Sequence, residues 1–378
     1  MNRRHFLKTG AAATAVLAGI PMLTTGCRTS LRSRLMEGPP SGPGDTPELT
    51  ADGYRILHYA SLAPSGHNAQ PWFVRIKDSD HWTIGLDPDR RLPVVDGNNT
   101  EALLSIGAFL ENLVQAAAAH GYQVQPTIIA QDRFGPDFNP DLVSIRLEKT
   151  QPKNMDLHRL TSRRTVKSHL SDRHLTPKDV NTFTHLADGH LFYFAKGTTH
   201  ADHMAEQAVA NYIIQMKNTA AVKEMAEWTR LKVSTIKKHR DGLTPAGMEI
   251  QGLAGWYVRH VMDPADVTGQ TFIDKGIEKI QQQAEEGAGW LVITGEGNTV
   301  ADLLASGRRF QRMALEARNR MIAIHPMSQT LEETRGQKHI TDNHAPDTIP
   351  HFMLRVGYLD KYPDPVSIRR PVAWFIRT

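Results

Sequence analysis

Residues 98–126 align without a gap with residues 298–326, an offset of 200. Asn98/Asn298, Leu103/Leu303, Leu104/Leu304, Gly107/Gly307, Ala117/Ala317 and Pro126/Pro326 are identical, while Leu110/Phe310, Leu113/Met313 and Val124/Ile324 keep apolar character. The apolar matches recur at helical spacing on one face, and in both copies the helix runs into a strand pattern. Two such segments point to a duplicated unit, in a chain long enough for two domains of ordinary size.

The pattern divides into a first half, 49–150, and a second, 151–378. In the first, 72–77 and 81–86 flank Asp78-Ser79-Asp80 as the arms of a hairpin. Val143, Ile145 and Leu147 alternate with Ser144, Arg146 and Glu148, as in a strand wet on one face. Further strands are expected at 191–195, 291–294 and 352–356, and helices over 50–62, 176–187, 200–220 and 300–321. Not every crossover is a βαβ unit, so the class is α+β, with two mixed sheets flanked by helices. Residues 223–289 read as an insertion in the second half, with Trp228, Met248 and the turn Asp241-Gly242-Leu243-Thr244-Pro245.

The N-terminus has to be set aside from the fold. Arg3-Arg4 precede an apolar run from Ala11 to Leu23, too short to span a bilayer comfortably. This is a twin-arginine signal over 1–27, an address read by export machinery and not itself an anchor. Cys27, the one cysteine, cannot form an intramolecular disulfide. Leu23-Thr24-Thr25-Gly26-Cys27 resembles a bacterial lipobox, with Thr24 where an aliphatic residue is usual, so lipidation at Cys27 and a lipid anchor are expected. Residues 28–48, rich in Pro, Gly and Ser, read as a flexible tether. Arg3, Arg4 and Lys8 supply three of the net +4 charges. The remainder is near neutral, without the basic footprint of nucleic-acid binding.

Two segments carry chemistry. Ala63-Pro64-Ser65-Gly66-His67-Asn68-Ala69-Gln70-Pro71-Trp72 is a turn-forming loop stiffened by two prolines and running into a strand. Arg163-Arg164-Thr165-Val166-Lys167 places cations beside a hydroxyl, and Arg159-x-Thr161-x-Arg163 fits the same spacing. No Walker loop or GxGxxG occurs, and Gly295-Glu296-Gly297 lacks a third glycine, which excludes a Rossmann site. His200 and His203 stand i, i+3 on an expected helix, and His339, His344 and His351 in an expected loop. Without HExxH or a Cys/His set at zinc spacing, no metal site is expected.

The 63–72 loop resembles the flavin-contacting loop of the nitroreductase superfamily. The 163–167 cluster resembles that family's R-x-S-x-R/K signature. Residues 307–329, ending His325-Pro326-Met327-Ser328-Gln329, resemble its helix and the loop over the flavin, and 350–358 with Arg369-Arg370-Pro371 resemble its last strand and basic tail. The layout and export signal are most similar to the Acg-like branch, single-chain pseudo-dimers of two nitroreductase-like halves. The resemblance implies one FMN. Pro64, Ser65, Gly66, His67, Asn68 and Gln70 would meet the ring in cis, and Pro326, Met327 and Ser328 would lie over its reactive face. Arg163, Thr165, Lys167 and Arg369 would hold the phosphate by charge-assisted bonds. The 223–289 insertion would be a lid. No general acid or base stands out, as suits chemistry carried by a cofactor.

The expected function is an exported, periplasmic or cell-envelope FMN-dependent oxidoreductase acting on a small electron-poor substrate. A membrane or periplasmic partner would supply the electrons, because nicotinamide donors are scarce outside the inner membrane. The alternative is a non-catalytic protein that binds or sequesters FMN. A scaffold without flavin is a third. Export and cofactor agree, since the twin-arginine route carries folded proteins that are loaded beforehand.

Overall fold

The computed structural model describes residues 30–36, 48–131 and 139–377. The export signal, Cys27 and most of the expected tether lie outside them.

Among the described residues, thirteen α-helices and nine strands form a mixed α/β structure with two sheets. The first half supplies β1 (Trp72–Ile76), β2 (His81–Leu86), β3 (Tyr122–Ile128) and β4 (Asp141–Lys149), ordered β1-β2-β4-β3. The second supplies β5 (Leu191–Ala195), β6 (Gly289–Gly295), β7 (Ile322–Pro326) and β8 (Ile349–Tyr358), ordered β5-β6-β8-β7. Order and antiparallel pairing are the same in both. The second strand of each carries a register shift, at Ile84/Gly85 and at Ile293/Thr294. In each half a twenty-residue helix, Thr100–Ala119 or Val300–Asn319, sits between the second and third strands.

The chain's last strand, β9 (Ile376–Arg377), leaves the second half and pairs parallel with β1. The expectation of two mixed sheets is corrected accordingly: only the first is mixed. Neighbouring strands of one half run antiparallel, and the single parallel pair arises because β9 arrives from the other half. Val74 N donates to Phe375 O at 2.8 Å, and the Phe375 ring meets Phe109 edge-on at 6.1 Å.

The two long helices cross at Gly107 and Gly307. A Cβ at Gly107 would lie 2.3 Å from Leu304 O, and one at Gly307 would lie 2.0 Å from Leu104 O. The backbones touch there, and a methyl on either side would meet an immovable carbonyl. Leu103, Leu104 and Leu113 share one continuous core with Leu303, Leu304 and Met313. The Thr100–Ala119 helix is long and apolar enough to cross a membrane, yet 78% of its apolar window is buried here. Beside the crossing, the fully buried Gln311 Nε2 donates to Asn112 Oδ1 at 2.7 Å, and Arg308 pairs with Glu111 at 3.0 Å.

Capping fixes where these helices begin. Thr299 and Asp302 form a capping box for Val300–Asn319. For Thr100–Ala119 the Asp96 carboxylate accepts from Glu101 N and Ala102 N at 3.0 and 2.9 Å.

The outer face of the second sheet is covered by helices Thr199–Lys217 and Thr334–His344 over Met204, Trp290, Ile340 and Met353. His339 and His344, expected in a loop, lie on the second of these helices, and His351 lies in β8. The 223–289 segment is helical, with its own small core of Leu231, Val258 and Val267. It is tied to the first half by Asp241, which pairs with Arg90 at 2.5 Å and with Arg230 at 3.0 Å. The Glu224 carboxylate adds bonds from Val94 N and Val95 N, each 3.0 Å.

One part of the expected tether is ordered. Leu31–Leu35 is a short helix capped by Ser30, and its Arg32 donates to Ser367 O and Thr161 O. A guanidinium that finds two backbone carbonyls anchors a segment whose composition alone reads as flexible.

Candidate functional site

A cavity of about 370 Å³ opens where the two halves and the 223–289 segment meet. The Pro64–Asn68 loop comes from the first half, Arg164, Thr165 and Lys167 from the start of the second, and His325 to Gln329 from the end of β7. Leu104, Ala108, Phe310, Met327 and Phe352 make its middle apolar, and Gly242, Leu243 and Thr244 close one side.

The loop's shape follows from backbone strain and from the stitching that holds it. His67, Asn68 and Gln70 have φ of 49°, 54° and 54°, left-handed values that non-glycine residues adopt only when held there. The C-terminal arginines hold them. Arg369 donates to Ala63 O at 2.9 Å, Leu62 O at 3.3 Å and Asn68 Oδ1 at 2.8 Å. Arg370 donates to Gln70 O at 2.6 Å and Trp72 O at 2.9 Å, while its backbone N–H donates to Gln70 Oε1 at 2.8 Å. Gln70 Nε2 donates to Arg240 O at 2.9 Å.

Not every residue expected at the site reaches it. Pro64, Ser65, Gly66, His67, Asn68, Thr165, Lys167, Pro326, Met327 and Ser328 line the cavity. Gln70, Arg163 and Arg369 do not. Gln70 and Arg369 are buried and committed to the loop and tail, because a left-handed backbone needs those partners. Arg163 lies behind the wall, with one long bond to Thr165 Oγ1 at 3.4 Å and an unpartnered Nε. Asn68 lines the wall, but its amide is engaged with Ile368 O and Arg369. Sequence reasoning quoted Arg164 and His325 within its motifs but gave them no role, and it passed over Glu101 and Glu332. Arg164 falls in neither arginine register, and the two glutamates carry no motif.

The cavity has a cationic end and an acidic end. Among the described residues the Lys167 ammonium has neither ion pair nor hydrogen-bond acceptor, and burial lowers its pKa, partly offset by Glu249. Arg164 is neutralised by Glu249 at 3.2 Å. Burial, and then the Lys167 charge, hold His67 neutral at about 4. His325 is held well below its usual range by burial and then by Arg355. At the other end Glu101 and Glu332, one from each half, are hydrogen-bonded to each other, and Gln215 Nε2 donates to Glu332 at 2.5 Å. Burial and mutual repulsion raise Glu101 well above the usual carboxylate range, and burial lifts Glu332 to about 7. The pair therefore keeps a proton at neutral pH. Gly66 sits against it, since a Cβ there would lie 2.5 Å from Glu101 Oε2. Ser328 Oγ, on the same wall, is buried without a partner.

A half-buried ammonium without an ion pair of its own is partly desolvated and favours an anion. An apolar middle suits a flat hydrophobic body, and a protonated carboxyl pair with a bare hydroxyl suits a polar edge. The residues present fit a ligand that combines a ring system with an anionic tail.

A family model described as the TAT (twin-arginine translocation) pathway signal sequence matches residues 1–19. An uncharacterized protein of Mycobacterium tuberculosis strain H37Rv is 37% identical over 75 residues, 19% of this chain and 22% of that protein. Another, from strain CDC 1551, is 23% identical over 340 residues, 85% of this chain and 44% of its own length. The chain thus spans less than half the length of the curated relatives it matches. Among solved structures, an FMN-dependent nitroreductase from Mycobacterium smegmatis in complex with NADPH is similar, with 12% identity and a TM-score of 0.35, over 58% of this chain and 96% of that one.

Proposed function

We propose that this chain is an exported FMN-dependent oxidoreductase of the nitroreductase type, built as a single-chain pseudo-dimer of two like halves around one FMN. The half-buried Lys167 ammonium, on the cavity wall with no ion pair of its own among the described residues and Glu249 shared with Arg164, is the observation that carries the reading. The shared strand order and the reciprocal Gly107/Gly307 contact support the pseudo-dimer, since a two-fold interface brings the same patch of each half together. Residues 223–289 act as the lid, with Gly242 to Thr244 on the cavity wall.

Lys167, with Arg164 and the Thr165 hydroxyl, would hold the FMN phosphate, and Arg163 would add charge from behind. Pro64 to His67 and Pro326 to Ser328 would frame the ring. When bound, FMN supplies the hydride or electron transfer. The protein orients it, excludes water with Leu104, Phe310 and Phe352, and keeps a proton on the Glu101–Glu332 pair beside Gly66. That proton is available to a substrate whose reduction generates negative charge. Electrons come from a membrane or periplasmic donor.

The test is the visible spectrum of the purified full chain and the flavin it releases on denaturation. One FMN per chain is expected, and folded but colourless protein overturns the reading. Sequestration of FMN without turnover is the second reading, favoured by the clasp between loop and lid, in which Gly242 N donates to Asn68 O at 3.3 Å. Photoreduced protein mixed with a quinone or a nitroaromatic separates the two. Reoxidation faster than with oxygen alone marks the enzyme, and an unchanged rate marks the store.

A further inference from the structure

Away from the cavity, two helices on the outer face of the second sheet bring four imidazoles together. His200 and His203 stand one turn apart on Thr199–Lys217, while His339 and His344 lie on Thr334–His344. One ring nitrogen from each of His203, His339 and His344 lies within 4.8 Å of the other two. The ring centroids are 6.2, 5.8 and 5.6 Å apart for His203–His339, His203–His344 and His339–His344.

The nitrogens have unequal surroundings. His344 is only 4% exposed, its Nδ1 is 2.7 Å from His200 Nδ1, and its Nε2 is buried without a partner. His339 Nε2 is likewise buried and unpartnered. Phe194 backs the group, stacked on His200 at 5.1 Å and edge-on to His344 at 5.9 Å. Bare, buried ring nitrogens in native proteins call for an explanation, because an unmade bond costs the full desolvation of the atom.

We propose that His203, His339 and His344 bind one divalent transition-metal ion of the zinc class, with His200 as the outer partner that orients His344. An all-imidazole set suits zinc, copper, nickel or cobalt and not the oxygen-seeking calcium or magnesium. Zn–N bonds of about 2.0 Å at tetrahedral angles put ligand nitrogens about 3.3 Å apart. The proposal requires the half-buried His203 and His339 side chains to rotate and close that gap from the 4.8 Å limit within which the nitrogens now lie. His344 Nδ1 against His200 Nδ1 is the outer-sphere contact that fixes a ligand's tautomer and ring angle. Three protein ligands leave a fourth position for water. The ion clasps the helix that carries Tyr212, Gln215 and Met216 into the cavity wall to the helix that follows Glu332.

The site is tested with the untagged full chain, stripped by a chelator and titrated calorimetrically with ZnCl2. One saturable site per chain is expected. His203→Ala, whose side chain is half-buried and open to substitution, abolishes it, and His344→Gln does the same. His200→Ala weakens binding by about 10–100-fold, the usual effect of losing an outer-sphere partner. Co2+ serves as the spectroscopic probe and is expected to give the visible bands of a four-coordinate ion, which His203→Ala loses. Each variant's melting temperature without metal establishes that it is folded. Absence of saturable Zn2+ binding by the parent chain, or equal binding by the parent and a folded His203→Ala variant, overturns the proposal.

Discussion

At the level of single side chains, charge decides what the cavity can hold. If Lys167 holds the proposed FMN phosphate, replacing it by Ala removes a charge-assisted contact of about 1.5–3 kcal/mol, so FMN affinity should fall by about 10–100-fold, read by quenching of flavin fluorescence on titration. Arg369→Ala acts differently, releasing the carbonyls of Leu62 and Ala63 and the strained turn, so its main effect is on stability. Glu332 gives a pH signature. Its pKa is raised on folding from 4.5 to about 7, so the native state holds a proton more tightly than the unfolded chain. The resulting stability is fully present below about pH 4.5 and is lost as pH rises through about 7. Glu332→Gln should therefore flatten that part of the stability curve and stabilise the protein at pH 8, measured by urea midpoints at several pH values. The loop and the Arg163–Lys167 cluster were legible in sequence because turn residues and charge spacing are local signals. The carboxyl pair was not, since Glu101 and Glu332 meet only once both halves are folded.

Among the helices and strands, the two glycines at the crossing carry the packing. Gly107→Ala and Gly307→Ala each drive a methyl into a carbonyl of the facing helix, and overpacking of this kind costs about 1–3 kcal/mol, read as a lower urea midpoint. The 100–119 and 300–319 helices, the 72–86 hairpin and strands β4, β5, β6 and β8 follow from periodicity alone, because each has one face or both against the core. Helix Thr334–His344, expected as a loop, is among the elements that escaped, and two others are instructive. Leu31–Leu35 is too short to show a period, and its order comes from Arg32 finding distant carbonyls. β9 spans only two residues and is strand because β1 offers it an edge. The loop at Asp241 is the tie between the 223–289 segment and the first half. Asp241→Ala leaves Arg90 and Arg230 without their shared partner, and removing one side of a buried pair costs about 3–5 kcal/mol. That variant should loosen the clasp on the 63–70 loop and, on the proposed function, speed FMN release in a stopped-flow dilution.

Over the whole molecule, the repeat at an offset of 200 becomes two sheets of one order sharing a single core, and the cavity lies where both halves contribute. Neither half completes the first sheet alone, because β9 and Phe375 come from the chain's end. Phe375→Ala should cost about 3–5 kcal/mol, as loss of a buried ring does, and should unfold both halves in one transition. The same geometry sets a clock on synthesis. Residues 72–76 leave the ribosome some three hundred residues before their parallel neighbour at 376–377 exists, so the outer rim of the first sheet stays open until that strand is made. An unpaired rim is a place where chains stick to one another. A twin-arginine address at residues 1–19 therefore emerges long before the sheet it precedes can be completed, so synthesis of residues 376–377, not emergence of the signal, is the earliest moment at which export of a folded molecule can begin.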